Sequence, residues 1–228
     1  VMTAVPRFYQ NLYQKINASF KKATGIKKIL VQKMLVLGLK KIRKEPLNFI
    51  EKVLDKILEK IVRKKIKDQF GGSLKTFVSG GGALDKEVGF FLNAIGLPTL
   101  QGYGLTETSP VVSCNPINDI RVETVGPPFK GNEVKIAEDG EILIKGENVM
   151  LGYWNNNEAT SKIIKDGWLY TGDIGEFDEE NRDPPRADGQ AHDSAAAPQW
   201  RSVISVTTTL AHWAWSPGYI SSTGGANR

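Results

Sequence analysis

The stretch that decides how this chain folds is QGYGLTETS, residues 101–109. It follows the apolar run LPTL, so the pattern predicts a buried strand that runs into a glycine-rich loop. Gly102 and Gly104 stand on either side of Tyr103. Because glycine has no Cβ, the backbone beside that ring could approach a flat ligand closely.

The polar side chains of this stretch suit a nucleotide and a metal ion. Tyr103 could stack on a base, and Thr106 could offer its hydroxyl to a phosphate oxygen. Glu107 carries a hard carboxylate of the kind that binds Mg²⁺. The alternative for this stretch alone is a tight loop with surface polar groups.

Strand and helix patterns alternate around this loop. LKTFVSGGG (74–82) predicts a buried strand that enters a glycine turn, and ALDKEVGFFLNAIG (83–96) predicts a helix. Asp85 and Glu87 fall near the positive N-terminal end of that helix. Strand, helix and strand in this order indicate an α/β sheet.

A small β portion is predicted next. NEVKIAEDGEILIKG (132–146) alternates apolar and polar residues around an Asp-Gly turn, which is typical of a hairpin. NEATSKIIKDG (157–167) predicts a short helix, and WLYTGDIGEFDEE (168–180) predicts a strand.

The first 70 residues are predicted to be helical. Residues 48–70 have apolar side chains at the i, i+3, i+4, i+7 spacing of an amphipathic helix, which Pro46 would begin and Gly71 would end. Residues 26–44 are apolar on more sides, which predicts a helix packed against two neighbours.

The charged residues are distributed unevenly along the chain. Residues 1–70 hold 18 Lys and Arg against 5 Asp and Glu, a net of +13, whereas residues 71–228 hold 12 against 20, a net of −8. A basic face of this kind could meet an anionic membrane surface, or could simply be solvated. Nucleic acid is not expected as a partner, because the basic region lacks interleaved aromatic residues.

Two classes of protein are disfavoured by composition. The sequence has no run of 18 or more apolar residues, so no transmembrane helix is expected. The single cysteine, Cys114, cannot form an internal disulfide. We therefore expect a cytoplasmic protein that could lie peripherally at the inner membrane surface.

The composition changes sharply near residue 180. No lysine follows Lys165, and residues 182–198 have no periodicity, which predicts disorder. An out-of-frame or foreign segment, an alternative terminus and an interaction tail remain open as explanations. The expected division is therefore a basic helical segment (1–70), an α/β and β part (71–180) and an unrelated tail (181–228).

Four stretches in fixed order resemble the adenylate-forming superfamily of acyl-CoA synthetases, peptide-synthetase adenylation domains and luciferases. They are SGGGAL (79–84), QGYGLTETS (101–109), GEILIKG with VMLGYW (140–154) and YTGD (170–173). Within that superfamily, VPR (5–7) and YQKI (13–16) are similar to the long-chain fatty acid–CoA ligase branch. The resemblance covers roughly residues 1–180.

The resemblance implies an α/β fold that forms part of a large N-terminal domain. This part would comprise a helical segment, a mixed sheet and a small β portion, with the C-terminal domain absent. It also implies AMP-forming ligation with ATP, Mg²⁺ and CoA, in which a long-chain fatty acid becomes an acyl-adenylate and then an acyl-CoA.

The resemblance also implies roles for individual residues. Tyr103, between Gly102 and Gly104, would flank adenine, and the backbone at Gly81, Gly82 and Ala83 would line the edge of the base. The two catalytic residues would be Thr106, which would touch the α-phosphate, and Glu107, which would hold Mg²⁺. Asp173 would accept hydrogen bonds from the ribose hydroxyls; its alternative is a turn carboxylate that bonds its own backbone.

Two parts of the superfamily pattern do not occur in the sequence. One is the Ser/Thr/Gly-rich phosphate loop with its lysine, and the other is the basic hinge with the small domain that follows it. Since a departing pyrophosphate is normally stabilised by several cationic groups, we expect little or no ligase activity from these 228 residues. The alternatives are a non-catalytic nucleotide-binding protein and a membrane-surface protein from the same family.

Overall fold

The computed structural model describes residues 1–177 and the backbone of Ile204–Thr207. The helical segment begins with a short strand, β1 (Met2–Ala4), and continues through α1 (Pro6–Lys21) and α2 (Gly25–Ile42). It ends with α3 (Phe49–Leu58), a π-helical turn (Glu59–Arg63) and α4 (Lys64–Asp68). The helices predicted over 26–44 and 48–70 are therefore both present.

Local side-chain chemistry fixes where α3 begins. Asn48 Oδ1 accepts a hydrogen bond from the Glu51 backbone N–H at 2.8 Å, and Glu51 Oε2 accepts one from the Asn48 N–H at 3.0 Å. This reciprocal capping satisfies two amide donors that a helix N-terminus otherwise leaves unpaired. Asn48 is therefore the N-cap of a helix that begins at Phe49, three residues after Pro46.

The buried side of this helix is less apolar than its sequence pattern predicts. Asp55 and Arg63 are both buried and lie 2.6 Å apart, and Arg63 also donates to the backbone carbonyls of Ala94 and Met34. Burial alone would raise the pKa of Asp55, but hydrogen bonds from Arg63 and Lys41 bring it below its usual value. Arg63 is the last residue of the π-helical turn.

The first sheet holds the strand and helix predicted around the glycine loop. Its strands are ordered β1, β2 (Phe77–Ser79), β3 (Thr99–Tyr103) and β4 (Ser113–Cys114). The first three strands are parallel and β4 is antiparallel to β3. Between β2 and β3 lies α5 (Lys86–Ala94), which begins where Asp85 Oδ1 accepts from the Val88 N–H at 3.1 Å.

The helices and this sheet share one hydrophobic core. It includes Tyr9, Met34, Leu58, Phe77 and Leu92, all fully buried. Helices α2 and α5 approach so closely that a Cβ at Gly38 would lie 2.2 Å from the Ala94 carbonyl oxygen. The helical segment is thus packed onto the sheet, which orients the carboxyl ends of β2 and β3.

The second sheet is antiparallel and contains the predicted hairpin. Strands β5 (Asn132–Ile136) and β6 (Glu141–Gly146) form the hairpin, and β8 (Trp168–Phe177) pairs with β6. The short helix α6 (Asn157–Ile163) leads into β7 (Ile164–Lys165), and β9 (Ile204–Thr207) pairs with the end of β8. Val112, Ile142, Ile144 and Leu169 form a second buried cluster against this sheet.

The fold is the mixed α/β arrangement that the sequence predicts, with a helical segment, a mixed sheet and a small β portion. The predicted disorder of the tail, 181–228, lies outside the described residues, apart from the backbone of β9.

Candidate functional site

The predicted nucleotide-contacting residues lie on two connections at one edge of the first sheet and on one strand of the second. Gly81, Gly82 and Ala83 lie between β2 and α5, and the 101–109 stretch forms the end of β3 and the loop after it. Because β2 and β3 are parallel, with Ser79 opposite Gln101, both connections leave the sheet at the same edge. Ligands of open α/β sheets bind at this edge.

Gln101, to which the sequence interpretation assigned no role, links these connections. Its Oε1 accepts from the Leu84 backbone N–H at 3.0 Å, and its Nε2 donates to the Val122 carbonyl at 2.5 Å. The glycine turn is thereby tied to the end of β3. Gly81 has a φ of +74° and open space where a Cβ would be, so its need for glycine is conformational.

The structure explains the need for glycine on either side of Tyr103 differently from the sequence, which suggested close approach to a ligand. A Cβ at Gly104 would lie 2.0 Å from the Pro110 carbonyl oxygen, and one at Gly102 would lie 3.1 Å from the Ser113 carbonyl oxygen. Both close approaches are made to the protein's own backbone. Gly104 therefore allows the loop to fold back on itself, whatever ligand lies beside it.

Tyr103 connects the two sheets. Its hydroxyl donates a hydrogen bond to Asp173 Oδ2 on β8 at 2.9 Å. Burial, and after it the nearby negative charge of Asp173, raises the pKa of Tyr103 above its ordinary value of 10. The structure thus brings together two residues that the sequence places 70 positions apart.

Thr106 and Glu107 lie in a single 3₁₀ turn, Thr106–Thr108. Thr108 Oγ1 accepts from the Leu105 N–H and donates to the Leu105 carbonyl, each at 2.9 Å, which holds the turn closed. The Thr106 side chain is exposed and Glu107 is half-buried. Both side chains are accessible from solvent, as residues that contact a ligand must be.

The carboxylate of Glu107 has a partner that the sequence interpretation did not identify. The Tyr153 hydroxyl donates to Glu107 Oε1 at 2.6 Å. This hydrogen bond, followed by burial, raises the pKa of Tyr153 to about 12. Tyr153 belongs to the VMLGYW stretch quoted above, which carried the superfamily resemblance but was given no role at the site.

The donor set fits Mg²⁺ only in part. Within residues 1–177, no three His, Cys, Asp or Glu side chains converge on one point. Mg²⁺ is commonly held by one or two carboxylates, with waters and substrate phosphates completing its shell. Glu107, with Oε2 left over from its bond to Tyr153, could supply one such carboxylate ligand.

The α/β fold, with both glycine connections at one sheet edge, is that of part of the large domain of adenylate-forming enzymes. The model of one protein family, described as AMP-binding enzyme, matches residues 1–154. The chain belongs to this family of AMP-binding enzymes.

Curated relatives in this family are named long-chain fatty acid–CoA ligases. FadD15 of Mycobacterium tuberculosis is 43% identical over 117 residues, which are 51% of this chain and 20% of the relative. The Haemophilus influenzae ligase is 36% identical over 156 residues, 63% of this chain and 27% of the relative. The chain therefore spans about a fifth to a quarter of the length of these relatives.

Solved structures show a partial likeness. o-Succinylbenzoate CoA synthetase (MenE) of Bacillus subtilis aligns with a TM-score of 0.48 and 27% identity, over 59% of this chain and 26% of that chain. The amide bond synthetase McbA of Marinactinospora thermotolerans aligns with a TM-score of 0.46 and 25% identity, over 59% and 26% of the two chains.

Proposed function

We propose that this chain forms part of the nucleotide-binding domain of a long-chain fatty acid–CoA ligase. In the first half-reaction, the fatty acid carboxylate attacks the α-phosphate of ATP and pyrophosphate leaves. In the second, the CoA thiol attacks the acyl-adenylate and AMP leaves. The observation that supports the proposal is that Tyr103, the last residue of β3, and Glu107, in the loop after it, lie at the sheet edge where open α/β sheets generally bind ligands.

Each residue of the proposed site has a distinct task. Tyr103 borders the adenine, and Asp173, held by the Tyr103 hydroxyl, retains its second oxygen to accept from a ribose hydroxyl. Thr106 offers its exposed hydroxyl to the α-phosphate. Glu107 binds Mg²⁺, which when present offsets the negative charge that develops as pyrophosphate leaves.

The long-chain substrate is supported by the relatives. Three of them, from Mycobacterium tuberculosis, Haemophilus influenzae and Salmonella typhimurium, carry that substrate in their names. The Salmonella typhimurium ligase is 47% identical to this chain over 92 residues. Fatty acid, ATP and CoA are accordingly the substrates that we propose.

Nucleotide binding by the 228-residue chain is the first test. Calorimetric titration with AMP should show binding that Asp173→Ala weakens, because the ribose loses its acceptor. Glu133→Gln is the matched control, since Glu133 is an exposed carboxylate on β5 at a distance in sequence from all proposed contacts. Absence of AMP binding by the wild-type chain would contradict the proposal.

Catalysis is tested separately by acyl-CoA formation from ATP, CoA and a long-chain fatty acid. We expect little or no turnover from these 228 residues alone, for the reason given by their sequence. Nucleotide binding without turnover, including after the chain is joined to the remaining sequence of a relative, would favour the non-catalytic nucleotide-binding alternative.

The helical segment supports a second proposed property, peripheral attachment to an anionic membrane surface on the cytoplasmic side. Phe49 and Ile50 at the start of α3 are 81% and 77% exposed, and exposed Lys52 and Lys56 follow them. Lys and Arg near anionic lipid contribute about 1 kcal/mol each. No helix of the described residues is both long and apolar enough to cross a bilayer.

Co-sedimentation with vesicles tests this attachment. We expect binding to vesicles that contain phosphatidylserine, weaker binding at high salt, and loss of binding in a Lys52→Gln, Lys56→Gln variant. Lys162→Gln is a suitable control, because Lys162 on α6 is exposed and paired with Glu158. Binding that is indifferent to salt and to anionic lipid would contradict an electrostatic attachment.

A further inference from the structure

The carboxylate of Glu107 is held by a residue from a distant part of the chain. Tyr153 follows Glu107 by 46 positions, yet its hydroxyl lies 2.6 Å from Glu107 Oε1. Among the described residues, this is the side chain that bonds the Glu107 carboxylate. A carboxylate has two oxygens with about four acceptor sites, so a single donor leaves Oε2 available.

The backbone around Glu107 is fixed from the same side. The Met150 N–H donates to the Glu107 carbonyl at 2.8 Å, and Asn148 Nδ2 donates to the Thr108 carbonyl at 3.0 Å. With the Tyr153 hydroxyl, three donors from residues 148–153 therefore bind the 3₁₀ turn. Side chain and backbone of Glu107 are positioned by one and the same segment.

Tyr153 is itself anchored. Its backbone N–H donates to Thr160 Oγ1 on α6 at 2.9 Å, and that hydroxyl donates to the Asn156 carbonyl at 2.9 Å. Gly152 lies close to the same threonine, because a Cβ there would be 2.9 Å from Thr160 Cγ2. The tyrosine is thus tied to α6, which limits where its hydroxyl can lie.

A tyrosine is chemically suited to orient a metal-binding carboxylate. Its hydroxyl is neutral, so Glu107 keeps a full negative charge for a cation, whereas a lysine or arginine partner would offset that charge. Tyr153 is 39% exposed and Glu107 is half-buried, so the pair can be reached from solvent. Residues that orient metal ligands typically change metal affinity by roughly 10–100-fold when removed.

We propose that Tyr153 is a positioning residue that directs the Glu107 carboxylate toward the divalent cation of a bound nucleotide. This inference rests on the proposed function, because it requires that the site take a metal–nucleotide complex. The hydroxyl holds Oε1, which would leave Oε2 as the oxygen available to bind the cation. The effect of Tyr153 is therefore confined to metal-dependent binding.

The experiment measures calorimetrically how a non-hydrolysable ATP analogue binds the full 228-residue chain, with Mg²⁺ and with EDTA. For Tyr153→Phe we expect the Mg²⁺ concentration at half-saturation to rise about 10-fold. Affinity for the analogue in EDTA should stay unchanged. Tyr170→Phe is the matched control. Tyr170 lies on β8, and its ring contacts the ammonium group of Lys165, whose Nζ lies 4.7 Å from the ring centroid.

A second variant tests the anchor instead of the hydroxyl. Thr160→Val removes the acceptor for the Tyr153 N–H and should produce a smaller shift in the same direction. Equal loss of affinity with and without Mg²⁺ in Tyr153→Phe would overturn the proposal in favour of a purely structural bond, and so would unchanged Mg²⁺ dependence. If the wild-type chain binds neither AMP nor the analogue, the proposed function fails and this inference fails with it.

Discussion

The two tyrosine–carboxylate pairs of the site differ in what surrounds them. Tyr103 and Asp173 join the first sheet to the second, and burial is the main reason that the pKa of Tyr103 is raised. Tyr153 and Glu107 lie at the surface, and there the hydrogen bond between them is the main reason that the pKa of Tyr153 is raised. The first pair should therefore contribute to the stability of the fold, and the second to the orientation of a ligand-binding group.

The largest effect is expected where the backbone between the pairs is altered. Gly104→Ala would place a Cβ 2.0 Å from the Pro110 carbonyl oxygen, so the loop must move and both pairs must be disturbed. We expect the free energy of unfolding to fall by about 3 kcal/mol, the upper part of the range for overpacking. Urea denaturation measures this change.

Gly80→Ala is the control for that experiment. Gly80 lies on the neighbouring connection, and a Cβ there would meet nothing within 4 Å. The control should unfold like the wild type. Equal stability of the Gly104 and Gly80 variants would show that the loop yields easily, and the contrast between the two pairs would lose its basis.

The half-buried pair alone is tested by Tyr103→Phe. This change removes the donor to Asp173 Oδ2 and leaves a half-buried carboxylate oxygen without its partner. Loss of a hydrogen bond of this kind costs about 1–2 kcal/mol, which chemical denaturation can resolve. Tyr170→Phe, on the same strand as Asp173, should lower the free energy of unfolding by less. A larger decrease there would contradict the inference that the Tyr103–Asp173 hydrogen bond stabilises the fold.

Alkaline pH should reveal the half-buried pair in a second way. Tyr103 has a raised pKa in the folded chain, so its contribution to stability is complete below pH 10 and is lost as the pH rises beyond that value. Above pH 10, the wild type should lose up to about 1.4 kcal/mol per pH unit more than Tyr103→Phe. The gap between the two proteins should therefore narrow, as denaturation at a series of pH values can show; a constant gap would contradict the burial of Tyr103.

Much of the fold was predictable because its signals are local. The hairpin over 132–146 follows from its Asp-Gly turn and the helix over 83–96 from its apolar pattern, and both are confirmed. The family was predictable from motif order, which the match over residues 1–154 confirms. The roles of individual site residues remain predictions.

The rest depended on contacts between distant residues, which no local pattern records. The apolar stripe over residues 48–70 gave no indication that Asp55 and Arg63 would be buried as a pair, while Ile50 would be 77% exposed. In the same way, nothing in the sequence placed Tyr153 beside Glu107, because the two are 46 positions apart and a complete hairpin lies between them.

The smallest effect is expected for the exposed pair. Tyr153→Phe removes one hydrogen bond between groups that water can also satisfy, so the free energy of unfolding should change by less than about 0.5 kcal/mol. Urea denaturation of this variant beside Tyr103→Phe measures the contrast directly. If Tyr153→Phe proves as destabilising as Tyr103→Phe, residues 148–153 mainly stabilise the 3₁₀ turn, and both pairs contribute to the stability of the fold. If stability is unchanged while the Mg²⁺ dependence of nucleotide binding shifts, the two pairs separate folding from ligand positioning within a single loop.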